Sequence, residues 1–98
     1  MLFAIRCLDR NDGADLREAT GAAHSAYMKE RMAAIVFGGP LMADDGKTRI
    51  GTLIVVDMAT RVDVDAFLAH EPYKRAGLFA HCEVYPYQLI VERGQPCQ

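Results

Sequence analysis

The chain has 98 residues, which suits one domain spanning 1–98 and is too short for a two-domain enzyme or a TIM barrel. Hydrophobic residues make up 51% and charged residues 24%, the balance of a globular protein. The net charge of −2 comes from scattered charges, and no RNP, helix-turn-helix or C2H2 pattern is present, so nothing points to nucleic acid.

Leu2 to Leu8 is an apolar run with one charge and reads as a buried strand. Asn11-Asp12-Gly13 marks a turn. Asp15 with Glu18 resembles a capping box. It opens a helix to about Ala33 whose apolar face carries Leu16, Ala19, Ala23, Ala26 and Tyr27. Ala34 to Met42 is a second strand, with a bulge or bend at Gly38-Gly39-Pro40. Asp44-Asp45-Gly46-Lys47 is a hairpin signal, and Arg49 to Met58 is the third strand.

Thr60 and Asp63 form another capping box, opening a helix with Val64, Phe67 and Leu68. That helix stops at Glu71, because the residue before a proline is disfavoured in the α region. Pro72 then begins a short helical piece, which Gly77 closes in the left-handed conformation. Ala80 to Val91 is the last strand, where Pro86 marks a bulge or an edge. A polar tail follows from Glu92.

The order β-α-β-β-α-β predicts an α+β, ferredoxin-like fold: a four-stranded antiparallel sheet with two helices on one face. The uncovered face should alternate to polar residues if it meets water. Instead both sides are apolar, with Leu53 and Val55 opposing Ile54 and Val56, and Leu2, Ala4 and Leu8 opposing Phe3, Ile5 and Cys7. Such a patch predicts an interface, most simply a homodimer joined through the sheets.

No uncharged apolar run approaches the roughly 20 residues that span a bilayer. Arg6 interrupts the apolar start, so no signal peptide is expected. Three cysteines with no framework spacing fit free thiols in a reducing cytoplasm.

His24 lies on the flank of the first helix, roughly 80° from the apolar centre, with Thr20 and Arg31 beside it. An imidazole there can exchange a proton near neutral pH, although a boundary histidine capping a carbonyl is the commoner case. Glu71 either caps the short helix or, beside an imidazole, orients the ring and holds a proton. Tyr73 either places a phenol in a pocket or packs half-buried. Arg6, a charge in an apolar strand, either meets a partner or wet cavity or snorkels to solvent. Gly38-Gly39-Pro40 lacks the spacing of a phosphate-binding loop. No CxxC, HxxxH or HxH occurs, so neither metal nor cofactor is expected.

Several short pieces recur in a specific order: Leu2-Phe3-Ala4-Ile5, Ala23-His24, Gly39-Pro40-Leu41, Gly51-Thr52-Leu53, Glu71-Pro72-Tyr73, Gly77-Leu78-Phe79 and Glu83-Val84-Tyr85-Pro86-Tyr87. With these the chain resembles, over nearly its whole length, the YciI-like (YCII-related domain) family of dimeric α+β barrel proteins. The resemblance implies a ferredoxin-like subunit, a homodimer, and an active-site pair of a first-helix histidine and an acid before a Pro-aromatic step. Those positions are His24 and Glu71 here. The family usually has Asp at the second, and the extra methylene of Glu71 moves the carboxylate by about 1.5 Å, which matters at a positioned site.

The resulting expectation is a small cofactor-independent enzyme of lyase or isomerase type. His24 and Glu71 would transfer a proton on a small cyclic or aromatic metabolite, by elimination, isomerisation or dehalogenation. Tyr73, Arg6 and Arg31 are its candidate substrate contacts. The alternatives are a non-catalytic metabolite-binding or regulatory homodimer, and an interaction domain acting through its apolar sheet face.

Overall fold

In the computed structural model, which describes residues 1–97, β1 (Leu2–Asp9), β2 (Ile35–Met42), β3 (Arg49–Asp57) and β4 (Phe79–Tyr87) form one antiparallel sheet in the order β2-β3-β1-β4. The helices are α1 (Ala14–Glu30), α2 (Arg61–Ala69) and α3 (Pro72–Arg75). The ferredoxin-like arrangement is therefore present, with β1 and β3 central and the proline-bearing strands β2 and β4 at the edges, where a missing N–H costs no ladder bond.

The pleat sorts the side chains. Phe3, Ile5 and Cys7 stand opposite Val56, Ile54 and Thr52 on the helix-covered face. There Phe3, Ile5, Cys7, Ile54 and Val56 join Val64 and Phe67 of α2 in one buried cluster, with Tyr27 and Met28 of α1 packed against it. On the other face Ala4 pairs with Val55 and Arg6 with Leu53, and Phe37, Leu53, Tyr85 and Tyr87 remain exposed.

Local signals behave as their chemistry dictates. The Thr60 hydroxyl accepts from the Asp63 N–H, capping α2. Asp45 accepts from the N–H groups of Lys47 and Thr48 and from the Thr48 hydroxyl, fixing the β2–β3 hairpin. Gly77 follows α3 at φ +81, a conformation that penalises any Cβ.

Four expectations change. Gly13, not Asp15, is the N-cap of α1, and no side chain caps it; Asp15 sits in the first turn, where its charge favours the helix N-terminus. The register shifts of β2 fall between Ile35 and Phe37 and between Leu41 and Met42, so Gly38-Gly39-Pro40 pairs in step with Ile54-Leu53-Thr52. The last strand ends at Tyr87, and the expected tail instead holds a two-residue hairpin, β5 (Val91–Glu92) with β6 (Gln95–Pro96). Arg93 and Gly94, both at positive φ, make its turn.

The fourth correction concerns the face of α1. Ala19, Ala23 and Ala26 are exposed, whereas Arg17 is buried and Thr20, Gly21, His24, Tyr27 and Met28 are half-buried. An alanine methyl removes little apolar area on burial. Arg17 and His24 each find a fixed acidic partner beneath the helix, so the polar flank turns inward and the alanines face out.

Candidate functional site

Three short-range arrangements converge under α1. Pro72 starts α3, and the residue before it, Glu71, is held extended at φ −67 and ψ 131 as the N-cap. That conformation turns the Glu71 side chain back over its own helix, where Oε2 accepts from the Lys74 N–H at 3.1 Å. The other oxygen, Oε1, lies 2.5 Å from His24 Nδ1. Glu71 thus caps the helix and holds the imidazole, although only 2% of it is exposed.

Tyr73, two residues on, is buried and stacks its ring on His24, with centroids 4.1 Å apart and planes 20° apart. Phe79 meets the Tyr73 ring edge-on from β4. The imidazole is therefore fixed in its plane by Tyr73 and about its axis by Glu71. Its second nitrogen, Nε2, has no protein partner among the described residues, and His24 borders a cavity of about 230 Å3.

That cavity lies between α1 and the β2–β3 half of the sheet. Met28, Ile35 and Ile54 give it apolar walls, and His24, Thr52 and Tyr73 supply polar groups. Gly38 also lines it, packed so close to β3 that a Cβ there would meet Ile54 Cγ1 and the Leu53 carbonyl oxygen, each at 3.1 Å. A wider cleft of about 600 Å3 lies further along α1, beside Tyr27, Arg31, Phe67 and His70; neither His24 nor Glu71 borders it.

Arg17, which borders the same cavity, makes a second contact with a carboxylate. Arg17 Nε and Nη2 donate to the two Asp9 oxygens at 2.7 and 2.9 Å, and Nη2 also reaches the Gly51 carbonyl and Thr52 Oγ1. The Asp9 carboxylate pushes the Arg17 pKa up, against the opposing effect of burial. The guanidinium lies 4.6 Å from the Tyr73 ring centroid, so Tyr73 meets both Arg17 and His24.

Of the residues singled out in the sequence, His24, Glu71 and Tyr73 come together. Arg6 does not join them: it stands on the uncovered sheet face and pairs with Glu83, whose other oxygen accepts from the Tyr85 hydroxyl. Arg31 lies over the Tyr27 ring, 3.6 Å from its centroid, and borders the wider cleft. Arg17 and its partner Asp9 were missed. The available signal was the seven-residue spacing of Arg17, His24 and Arg31, which places three basic side chains along one helix face.

Among the described residues no group of three or more His, Cys, Asp or Glu side chains is placed to hold a metal ion. No described helix is long and apolar enough to cross a membrane. Cys7 and Cys82 stand directly opposite on β1 and β4 as free thiols. Burial, then the neighbouring Cys82 thiol, push the Cys7 pKa well above the ordinary thiol range.

Residues 1–88 match the family model of the YCII-related domain. The chain belongs to the YCII-related family. Among solved structures, this YCII-related chain is similar to 5-chloro-2-hydroxyhydroquinone dehydrochlorinase (TftG) from Burkholderia phenoliruptrix AC1100, in complex with 2,5-dihydroxybenzoquinone. The two share 32% identity over 90% of this chain and 94% of that one, with a TM-score of 0.84. No curated protein matches the chain.

Proposed function

We propose that this YCII-related protein is a cofactor-independent lyase or isomerase acting on a small hydroxylated ring compound, with His24 as the proton-transfer group and Glu71 as its orienting partner. The observation that carries the reading is the His24–Glu71 contact at 2.5 Å beside a cavity of about 230 Å3. Glu71 engages Nδ1 and leaves Nε2 to act on a ligand. Tyr73 restricts the ring to one plane, which gives the positioning that general acid–base chemistry requires.

The similar dehydrochlorinase indicates the reaction class. Loss of HCl from a chlorinated hydroxyhydroquinone forms a hydroxyquinone without an external oxidant. One hydroxyl proton moves to the carbon bearing chlorine, and a second leaves its oxygen as chloride departs. A single group that both gives and accepts protons can serve both transfers. General acid–base assistance of this kind contributes about 10²–10⁴-fold in rate.

The uncovered sheet face completes the proposal. Phe37, Leu53, Tyr85 and Tyr87 lie exposed on it, around the Arg6–Glu83 pair. A second copy of the chain seated there gives a closed, two-fold dimer. Sedimentation at micromolar concentration is expected to show a dimer, and a monomer throughout that range contradicts this part.

The activity is tested by incubating the protein with 5-chloro-2-hydroxyhydroquinone and with a small set of ring lactones in deuterated buffer. Chloride release or deuterium incorporation faster than in buffer alone is expected with at least one compound. Tight binding with no catalysed exchange in any of them moves the protein to the metabolite-binding reading.

A further inference from the structure

Arg17 is only 8% exposed, and its guanidinium divides its donors between the protein and the cavity side. Nε and Nη2 are spent on Asp9, Gly51 and Thr52. Nη1 has no hydrogen-bond partner among the described residues, and Arg17 borders the same cavity as His24. No buried side-chain nitrogen or oxygen among the described residues lacks a partner, so Nη1 is open to solvent and free to meet an incoming acceptor.

The charged side chains in direct contact with the cavity are basic. No Asp or Glu borders the cavity among the described residues, while Arg17 and Arg49 both do. Asp9 neutralises Arg17 with both its oxygens. Arg49, at the start of β3, forms no ion pair among the described residues, so its charge at the rim is free to meet a ligand. An apolar cavity of roughly 150 Å3 admits benzene, so about 230 Å3 takes one substituted ring.

We propose that the Arg17–Thr52–Arg49 wall of the cavity is an oxyanion subsite, which selects planar single-ring ligands carrying an ionised oxygen. Arg17 Nη1 donates to that oxygen, and Arg49 adds charge from the rim. The ring lies beside the Tyr73–His24 stack, which leaves the reacting position toward His24 Nε2. The inference deepens the proton-transfer reading and rests on it for the orientation of the ring. The binding selectivity itself does not depend on it. The oxygen belongs either to a carboxylate or to an acidic ring hydroxyl, and the guanidinium accepts both.

Inert probes separate this proposal from the chemistry. Benzoate is compared with benzamide, and 4-nitrophenolate, at a pH where its hydroxyl is ionised, with nitrobenzene. Affinity is read by calorimetry, and the Arg17 guanidinium resonances by 15N NMR. At least one anion is expected to bind about tenfold more tightly than its neutral counterpart and to shift the Arg17 signals. Benzoate alone responding assigns a carboxylate, and 4-nitrophenolate alone an acidic hydroxyl.

Arg49→Gln, a substitution at an exposed position, is expected to weaken the anion by about threefold and leave the neutral compound unchanged. Arg17→Lys keeps a charge for Asp9 but loses the fork, and should weaken the anion further; should it unfold, the wild-type Arg17 resonances and Arg49→Gln decide. Equal affinity within each pair, unmoved Arg17 signals, or no binding of any probe overturns the subsite. None of these probes undergoes proton transfer, so such a failure leaves the His24–Glu71 reading standing, and loss of that reading leaves a measured anion preference intact.

Discussion

Glu71 divides its carboxylate between two tasks: Oε1 lies 2.5 Å from His24 Nδ1, and Oε2 accepts the Lys74 N–H at 3.1 Å. The cap pins the carboxylate to the start of α3, and the carboxylate in turn pins an imidazole 47 residues earlier in the chain. One side chain thereby couples α1 to α3 and leaves the second ring nitrogen of His24 without a protein partner among the described residues. Removing its charge and shortening it have separable consequences.

Glu71→Gln keeps the length of the side chain and an oxygen to accept from Lys74. Stability is expected to fall by only about 1 kcal/mol, while turnover falls by about 10²-fold because the imidazole loses its charged partner. Urea unfolding beside steady-state kinetics checks both. Equal losses in the two would make Glu71 structural alone. Glu71→Asp retains the charge but withdraws it by one methylene, and should cost about tenfold in turnover.

Asp9 and Arg17 form a pair with side-chain exposures of 7% and 9%, so each is the other's main compensation for leaving water. Asp9→Ala leaves a guanidinium buried without its carboxylate, and is expected to destabilise the fold by about 3–5 kcal/mol. Exposed Asp65, paired with Arg61 on the surface of α2, is the control: Asp65→Ala should cost under about 1 kcal/mol. Chemical denaturation of both variants makes the comparison, and similar losses would contradict it.

Much of the fold is readable from local chemistry. The hairpin at Asp45, the Thr60 cap and the turn at Gly77 each depend on a few neighbouring residues, and each forms where its chemistry predicts. The face of α1 was not readable in that way. It turns on Arg17 meeting Asp9 and on His24 meeting Glu71, and the second contact spans 47 residues. An apolar count along the helix favours the alanines because it cannot include the energy of a distant acid. Helix position and the step before Pro72 single out His24 and Glu71, and the resemblance pairs them; Arg17 had only helical spacing to reveal it.

Asp45 gives a prediction for pH. The Thr48 hydroxyl and N–H and the Lys47 N–H, all donating to its carboxylate, hold its pKa below the ordinary aspartate value. Folding therefore favours the ionised form. The contribution is complete above the unfolded-state pKa and is lost as the pH falls through the lower folded value. An NMR titration of the Asp45 carboxyl carbon should give a midpoint below that of an unstructured aspartate, and a midpoint at or above it would contradict the hairpin geometry.

Cys7 is 1% exposed and its thiol is pushed toward the neutral form by burial and by Cys82. Because the thiolate is the nucleophile, iodoacetamide should spare Cys7 in the folded protein while labelling the more accessible Cys97. Peptide mass mapping before and after denaturation reads this directly. Rapid native labelling of Cys7 would show that the β1–β4 pairing opens readily.

The central claim is that His24 moves the proton. The most direct test follows solvent deuterium or released chloride during turnover of a ring substrate by the wild-type protein and by His24→Asn, with circular dichroism and thermal melting confirming that both are folded. The variant is expected to turn over at least about 10²-fold more slowly, with the fold retained. Turnover by His24→Asn at the wild-type rate would contradict it.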